Sequence, residues 1–313
     1  QRMVEIITLA ERLNAPILTT FKAKGQVPDS HPLATGVLGR SGTPIASWFM
    51  NKADLLIVFG ASFSHHTGIN ARKTIIQVDL DRMMLGKAHP VEVPVWAEIG
   101  IATQRFIEEI PHNISTEDPR KEIASRWKIW RQKKQQRAQQ NHQGLNPARI
   151  FAELAAVCPA YAIIAVDVDH NTDSFGQYFE CKSQHILMSG YLGTIGFAFP
   201  AAMGAWAATE DFSEFNHHPV ISISGDDGFS QYLAEFTTAV KYGMNITHIL
   251  LRNEEQAARQ TSRHNPDFSE FANHCGGLGI RIKHAEQLQA GFKRAFDNDG
   301  PTLVELICDR ELI

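Results

Sequence analysis

"VISISGDDGFSQYLAEF", residues 220–236, decides the architecture. Val220, Ile221 and Ile223 form a β-branched run of the kind that lies in a buried strand. The run stops at Gly225, Asp226, Asp227 and Gly228, and a helical pattern follows at once. A strand that passes through a glycine turn into a helix is the building unit of an open α/β sheet. Such turns often hold a phosphate at the helix N-terminus. Two carboxylates would repel a bare phosphate, so this turn asks for a cation between acid and anion.

Outward from this turn the same pattern repeats. Strands are expected at 162–168, 246–251 and 301–308, with helices at 198–209, 230–242 and 286–298. "NPARIFAELAAV" (146–157) starts a helix with Asn146 as cap and Pro147 in the first position. Towards the N-terminus, 15–20, 54–60 and 74–81 read as strands, and 4–13 and 99–110 as helices. Glycines at 36, 39 and 42 lead into a further helix and lack the dinucleotide-binding spacing. Strands apolar on both faces belong in parallel sheets covered on both sides. The expected fold is therefore α/β, with two open, mostly parallel, doubly wound sheets. One unit covers 1–111 and the other 146–313. Between them, 112–145 reads as a polar linker with one exposed helix. The chain begins at Gln1 with a helix almost under way, and we expect it to be a piece of something longer.

Composition narrows the function. A net charge of −4 gives no basic excess for nucleic acid. The basic stretch 127–140 reads as a solvated helix face. Cys158, Cys181, Cys275 and Cys308 are widely spaced, which fits a reducing, cytoplasmic setting without a disulfide scaffold or zinc site. His65, His66, His217 and His218 read as loop histidines. No apolar run reaches the roughly 20 residues that cross a bilayer. No membrane partner is expected.

Ligands of such sheets sit beyond the carboxyl ends of the strands. Asp226 ends one strand and Asn253, 27 residues later, ends another. A right-handed crossover makes the two strands neighbours or near neighbours. A carboxylate, an amide oxygen and a loop carbonyl suit Mg²⁺ or Ca²⁺, with phosphate oxygens completing the shell.

This spacing resembles the cofactor motif of the thiamine diphosphate enzymes: GDG, then 24–27 residues, then NN. Here it stands as Gly225-Asp226-Asp227, 24 residues, then Arg252-Asn253. "SGYLGTIGFAFPAAMGAWAA" (189–208) looks like the family's loop and helix around the cofactor rings. "DLLIVFGASFSHHTGI" (54–69) with "TIIQVDLD" (74–81) looks like its central domain. Nearly the whole chain resembles the central and diphosphate-binding domains of the acetolactate synthase and pyruvate oxidase group. The resemblance implies that Asp226, Asn253 and the main-chain carbonyl of Glu255 hold Mg²⁺. It places His170, Asn171, Thr172, Gly225, Asp227, Gly228 and Phe229 near the diphosphate. Gly193, Thr194 and Ile195 would hold the aminopyrimidine, with Ile195 as the wedge that bends the cofactor. The implied activity is on pyruvate or another 2-oxo acid: decarboxylation, then carboligation or oxidation. The implied assembly is a homodimer or homotetramer whose active site is shared with a pyrimidine-binding domain. Nothing in this chain resembles that domain.

Four features depart from the family pattern. Asp227 and Asp169 stand where relatives carry Gly, and Arg252 replaces the first Asn. The stretch after Asn253 is about ten residues shorter than in a family segment that closes over the site. The departures motivate an alternative: a non-catalytic structural or regulatory homologue. The resemblance also leaves FAD open. Relatives bind it in the central domain, yet the flavin-contacting Arg is absent from "GASFSHHTGI". Asp79 and Asp81 either grip an adenosine or cap a helix.

Overall fold

The structure, a computed structural model, describes residues 3–61, 63, 67–70, 72–111, 114–140, 144–168, 170–190, 192–252 and 266–309. The chain divides into two compact units, 1–132 and 133–313.

The first unit runs α1 (Met3–Leu13), β1 (Ile17–Thr19), β2 (Ala34–Val37), α2 (Pro44–Lys52), β3 (Leu55–Phe59), β4 (Thr74–Asp79), β5 (Val93–Trp96) and α3 (Ile99–Glu109). β1 pairs with β2, and β3, β4 and β5 form a second sheet in that order. Both sheets are parallel. Thr43 caps α2 by accepting the N–H of Ala46, and Pro44 takes the first helical position. The linker helix is α4 (Arg120–Ala138), which spans the division between the units. It is less exposed than its polar composition predicts. Ile123, Trp127 and Trp130 are buried, and the indole N–H of Trp127 donates to the Ala34 carbonyl at 2.8 Å.

The second unit runs α5 (Pro147–Val157), β6 (Ile163–Val166), α6 (His170–Tyr178), β7 (His185–Met188), α7 (Ala198–Asp211), β8 (Val220–Gly225), α8 (Asp226–Gln231), α9 (Leu233–Lys241), β9 (Ile246–Arg252), α10 (Phe268–His274), β10 (Leu278–Ile282), α11 (Leu288–Phe296) and β11 (Thr302–Ile307). Asn146 caps α5 as expected, its side chain accepting the N–H of Ala148. The strands form one six-stranded parallel sheet in the order β10-β11-β9-β8-β6-β7. β6, β8 and β11 are buried at every residue, on both faces. One face packs Ile163, Ala165, Val220, Leu250 and Leu303 against Phe199 of α7, Phe236 of α9 and Phe268 of α10. This is the doubly wound α/β arrangement.

The strand order locates the site. From β6 the chain steps outward to β7, then returns to the other side of β6 as β8. The gap between the carboxyl ends of β6 and β8 is thus the point where the winding reverses, where open α/β sheets bind ligands. β8 and β9 are also direct neighbours, Gly225 pairing with Leu251.

Candidate active site at the strand reversal

Two acids flank the reversal point. Asp167 follows β6, and Asp226 follows β8.

Asp167 is 1% exposed. Its Oδ1 accepts the N–H groups of Val168 at 3.0 Å, Gly196 at 2.9 Å and Phe197 at 3.1 Å. Its Oδ2 lies 2.9 Å from the Gly196 nitrogen. Burial pushes its carboxyl above the usual carboxylate range, and the three backbone N–H groups oppose that shift. The 225–229 turn closes over the same carboxylate. A Cβ on Gly228 would lie 2.0 Å from Asp167 Oδ2, so only glycine fits there.

Asp226 is half-buried, and among the described residues the one neighbouring donor to its carboxylate is the Asp227 N–H at 3.2 Å. Burial raises its pKa, and the charge of Asp227 raises it further; the charge of Arg252 pulls the other way. An acid held at a strand end with so few internal donors has the chemistry of a cation ligand. Asp227 is exposed on the first turn of α8.

The remaining expected residues fall into three groups. Gly193, Thr194 and Ile195 lie on the exposed turn that ends at Gly196 and Phe197. Gly193 and Gly196 both have positive φ, +71° and +90°. The Thr194 N–H donates to Ser189 Oγ at 3.0 Å. Ile195 is 42% exposed, which leaves an apolar side chain available beside the reversal point. Thr172 and Phe229 are turned to structural work. The Thr172 hydroxyl donates to the Asp167 carbonyl, tying α6 to the end of β6. Phe229 is buried among Phe199, Phe236 and Phe268, stacked at 4.3 Å on the His248 ring. Only the backbone of Phe229 faces the turn, while Gly225 is the buried last residue of β8. The third group, Asn253, Glu255 and the departing Asp169, lies outside the described residues, as do the side chains of His170 and Asn171 and both His65 and His66.

Arg252 departs from the resemblance for a structural reason. It is 1% exposed and its guanidinium meets Glu305 at 2.6 Å; Glu305 on β11 is fully buried. The same Nη1 donates to the Pro266 carbonyl at 2.6 Å, and the guanidinium lies 5.0 Å from the Phe268 ring centroid. Arg252 is therefore spent inside the unit. A second buried group below the site is His248, between Ser222 Oγ at 2.7 Å and Ser224 Oγ at 3.2 Å. Burial drives its pKa down to about 3, so it is neutral.

Sequence reading did not single out Asp167, Gly196, His248 or Glu305. The acid at the end of "AIIAVD" was the available signal for Asp167. Its donors come from a turn 29 residues away, and no local motif records that.

In the first unit, Asp79 accepts the N–H of Asp81 at 2.9 Å, and Asp81 accepts that of Met83, capping the short helix 82–84. Asp81 is the helix cap, and Asp79 closes the turn before it. His217 has φ +61°, and His218 packs edge-on to Tyr161 and His185. Among the described residues no group of three or more His, Cys, Asp or Glu is placed to hold a metal ion, and no helix is long and apolar enough to cross a membrane.

A parallel sheet with a reversal point of this kind is an open α/β ligand-binding architecture, and comparison with known proteins gives the family. Residues 2–106 match the central domain of thiamine pyrophosphate enzymes, and residues 167–306 match their C-terminal TPP binding domain. The chain belongs to the thiamine pyrophosphate enzyme family. It is 30% identical over 322 residues to the putative thiamine pyrophosphate-containing protein YdaP of Bacillus subtilis (strain 168), covering 98% of this chain and 54% of that protein. It is 30% identical over 339 residues to a probable acetolactate synthase large subunit of Methanococcus aeolicus, covering 97% and 55%. It is 27% identical over 325 residues to the acetolactate synthase large subunit of Cyanidium caldarium, covering 97% and 54%. The chain spans about half the length of these relatives.

Proposed function

We propose that this chain is the central and diphosphate-binding part of a thiamine diphosphate- and Mg²⁺-dependent enzyme acting on pyruvate or another 2-oxo acid. The observation that carries the reading is Asp226: a half-buried carboxylate at the strand reversal with, among the described residues, a single neighbouring N–H donor. Its donor set fits a divalent cation. Asp226 and the Asn253 side chain would hold Mg²⁺, with the Glu255 carbonyl as third protein ligand, and the metal would carry the diphosphate. The backbone of 225–229 and the N-terminus of α8 supply positive potential around that anion. Thiamine diphosphate supplies, when bound, an electron sink for decarboxylation.

This chain's residues bind and orient. Gly193 and Thr194 present backbone groups on the exposed turn, and Ile195 offers an apolar support for the rings without a competing hydrogen bond. Holding the cofactor's reacting atoms close is the kind of positioning that lowers a barrier by several kcal/mol. The active site would be completed by a pyrimidine-binding domain, in a homodimer or homotetramer. Carboligation, as in an acetolactate synthase, is favoured over oxidation by the named relatives. FAD is not part of the proposal, because Asp79 and Asp81 are engaged with backbone N–H groups of their own turn.

Calorimetry on the full-length protein tests this. Thiamine diphosphate should bind with Mg²⁺ and not with EDTA, and Asp226→Ala should abolish the binding. Binding untouched by that substitution would sink the reading. The non-catalytic alternative is favoured by one feature, the Asp227 charge that works against ionisation of Asp226. Steady turnover of pyruvate by the wild type would eliminate it.

A further inference from the structure

We propose that Asp167 is a positioning residue for the cofactor-facing turn: its carboxylate is the joint that fixes residues 193–197, and so Ile195, against the 225–229 turn. This rests on the thiamine diphosphate reading above; the joint itself stands on geometry alone.

Three chain segments converge on one buried side chain. The end of β6 supplies the carboxylate and the Val168 N–H. The 193–197 turn supplies two successive N–H groups, Gly196 and Phe197, at the start of α7. The 225–229 turn supplies Gly228, whose α-carbon sits flush against Oδ2. A carboxylate is the side chain suited to this place, because it accepts several N–H groups at once and each bond to a charged acceptor is strong. An amide would put donor hydrogens at one of the two oxygen positions, facing the Gly196 N–H. A hydroxyl could not reach all three donors.

Among the described residues the turn has little else to hold it. Thr194 N–H bonds Ser189 Oγ, and Tyr232 lies over Gly196, 2.6 Å from where a Cβ would be. Leu192 and Ile195 point outward, 84% and 42% exposed. Gly196 has φ +90°, a conformation open to glycine, and its N–H bonds to Asp167 select it from glycine's wide range. Asp167 is thus placed to set where Ile195 stands while touching neither cofactor nor substrate.

The joint also explains Gly228 without the phosphate. The glycine is required by the carboxylate beneath it. Removing that carboxylate should make Gly228→Ala tolerable, so the two substitutions should compensate.

The test uses the full-length protein with Asp167→Ala, Asp167→Asn, Gly228→Ala and the Asp167→Ala/Gly228→Ala pair. Two quantities are read: hydrogen exchange of peptides covering Gly196 and Phe197 in the cofactor-free protein, and thiamine diphosphate affinity at saturating Mg²⁺. Asp167→Ala should speed exchange at 196–197 at least tenfold, leave peptides from β9 and β11 unchanged, and weaken thiamine diphosphate at least tenfold. Asp167→Asn, which keeps one oxygen for the donors but turns donor hydrogens toward the Gly196 N–H, should recover only part of both and serves if the alanine variant does not fold. Gly228→Ala should weaken binding, and adding Asp167→Ala should cost less than the sum of the two. Unchanged exchange at 196–197 would overturn the joint. Faster exchange with unchanged affinity would overturn its role in positioning the cofactor. A wild type that binds no thiamine diphosphate would instead overturn the functional reading and the cofactor role with it, while the exchange data would still decide the joint.

Discussion

Asp167 and Asp226 stand at the carboxyl ends of adjacent strands, on either side of the strand reversal. Both are acids drawn out of water, and burial pushes both pKa values up. Their partners differ. Asp167 is answered three times by its own chain. Among the described residues, Asp226 is met by its own N–H and by one longer bond from Asp227, whose charge works against ionisation while that of Arg252 favours it. A third buried acid, Glu305, is answered by a cation from its own chain, Arg252. A carboxylate whose partners are built into the fold is structural. One left short of partners among the described residues is available to a ligand. The distribution of partners, more than burial or pKa, separates scaffold from site.

The largest effect should fall on Glu305. Glu305→Leu leaves Arg252 buried and unpaired and should cost about 3–5 kcal/mol in urea unfolding, whereas Arg252→Met with Glu305→Leu should be near neutral. Asp167→Ala should come next, at about 2–3 kcal/mol, because charge-assisted bonds to buried N–H groups are lost. Asp226→Ala in metal-free protein should shift stability by less than about 1 kcal/mol, since few internal bonds are lost and burial of a charge is relieved. Equal costs for Asp167→Ala and Asp226→Ala would break the comparison.

His248 sharpens it from the neutral side. Its pKa is depressed to about 3, so the folded form resists a proton that the unfolded chain takes up near the ordinary histidine value. Its stability contribution is full above about pH 6.5 and is lost as pH falls towards 3, at about 1.4 kcal/mol per pH unit. His248→Gln should flatten that slope in unfolding measured from pH 7 to pH 4. A small effect on binding is expected for Asp227→Gly. Removing an exposed like charge beside Asp226 should tighten Mg²⁺ by about fivefold, an effect of about 1 kcal/mol, read by titration.

In the second unit, the strands that are legible in the sequence share a physical cause. β6, β8, β9 and β11 lie in the interior of the sheet and are buried at every residue, so each is a continuous apolar run. β7 (HILM) and β10 (LGIRI) form the two sheet edges, and β5 (VPVW) is an edge of the three-stranded sheet. Edge strands keep one flank in solvent and need no such run, so those three were not read. β2 (ATGV) is buried, but its glycine and threonine disguised it. The polar composition of α4 likewise hid Trp127 and Trp130, because the helix buries only a narrow strip. At the site, the position of Asp226 and its relation to the strand bearing Arg252 were readable from spacing, since a crossover of that length joins neighbouring strands. Asp167 was not, because its partners are backbone groups supplied by folding. The resemblance places Gly228 near the diphosphate, whereas its neighbour in the structure is the Asp167 carboxylate.

The account turns on Asp226 being held for a cation. Thermal unfolding of the full-length wild type and of Asp226→Ala, each with and without Mg²⁺ and thiamine diphosphate, tests this most directly. Ligand that binds only the folded form must raise the midpoint. The wild type should rise with both ligands present and stay put with thiamine diphosphate and EDTA, while Asp226→Ala should not move under either condition. An equal rise in Asp226→Ala would contradict the account.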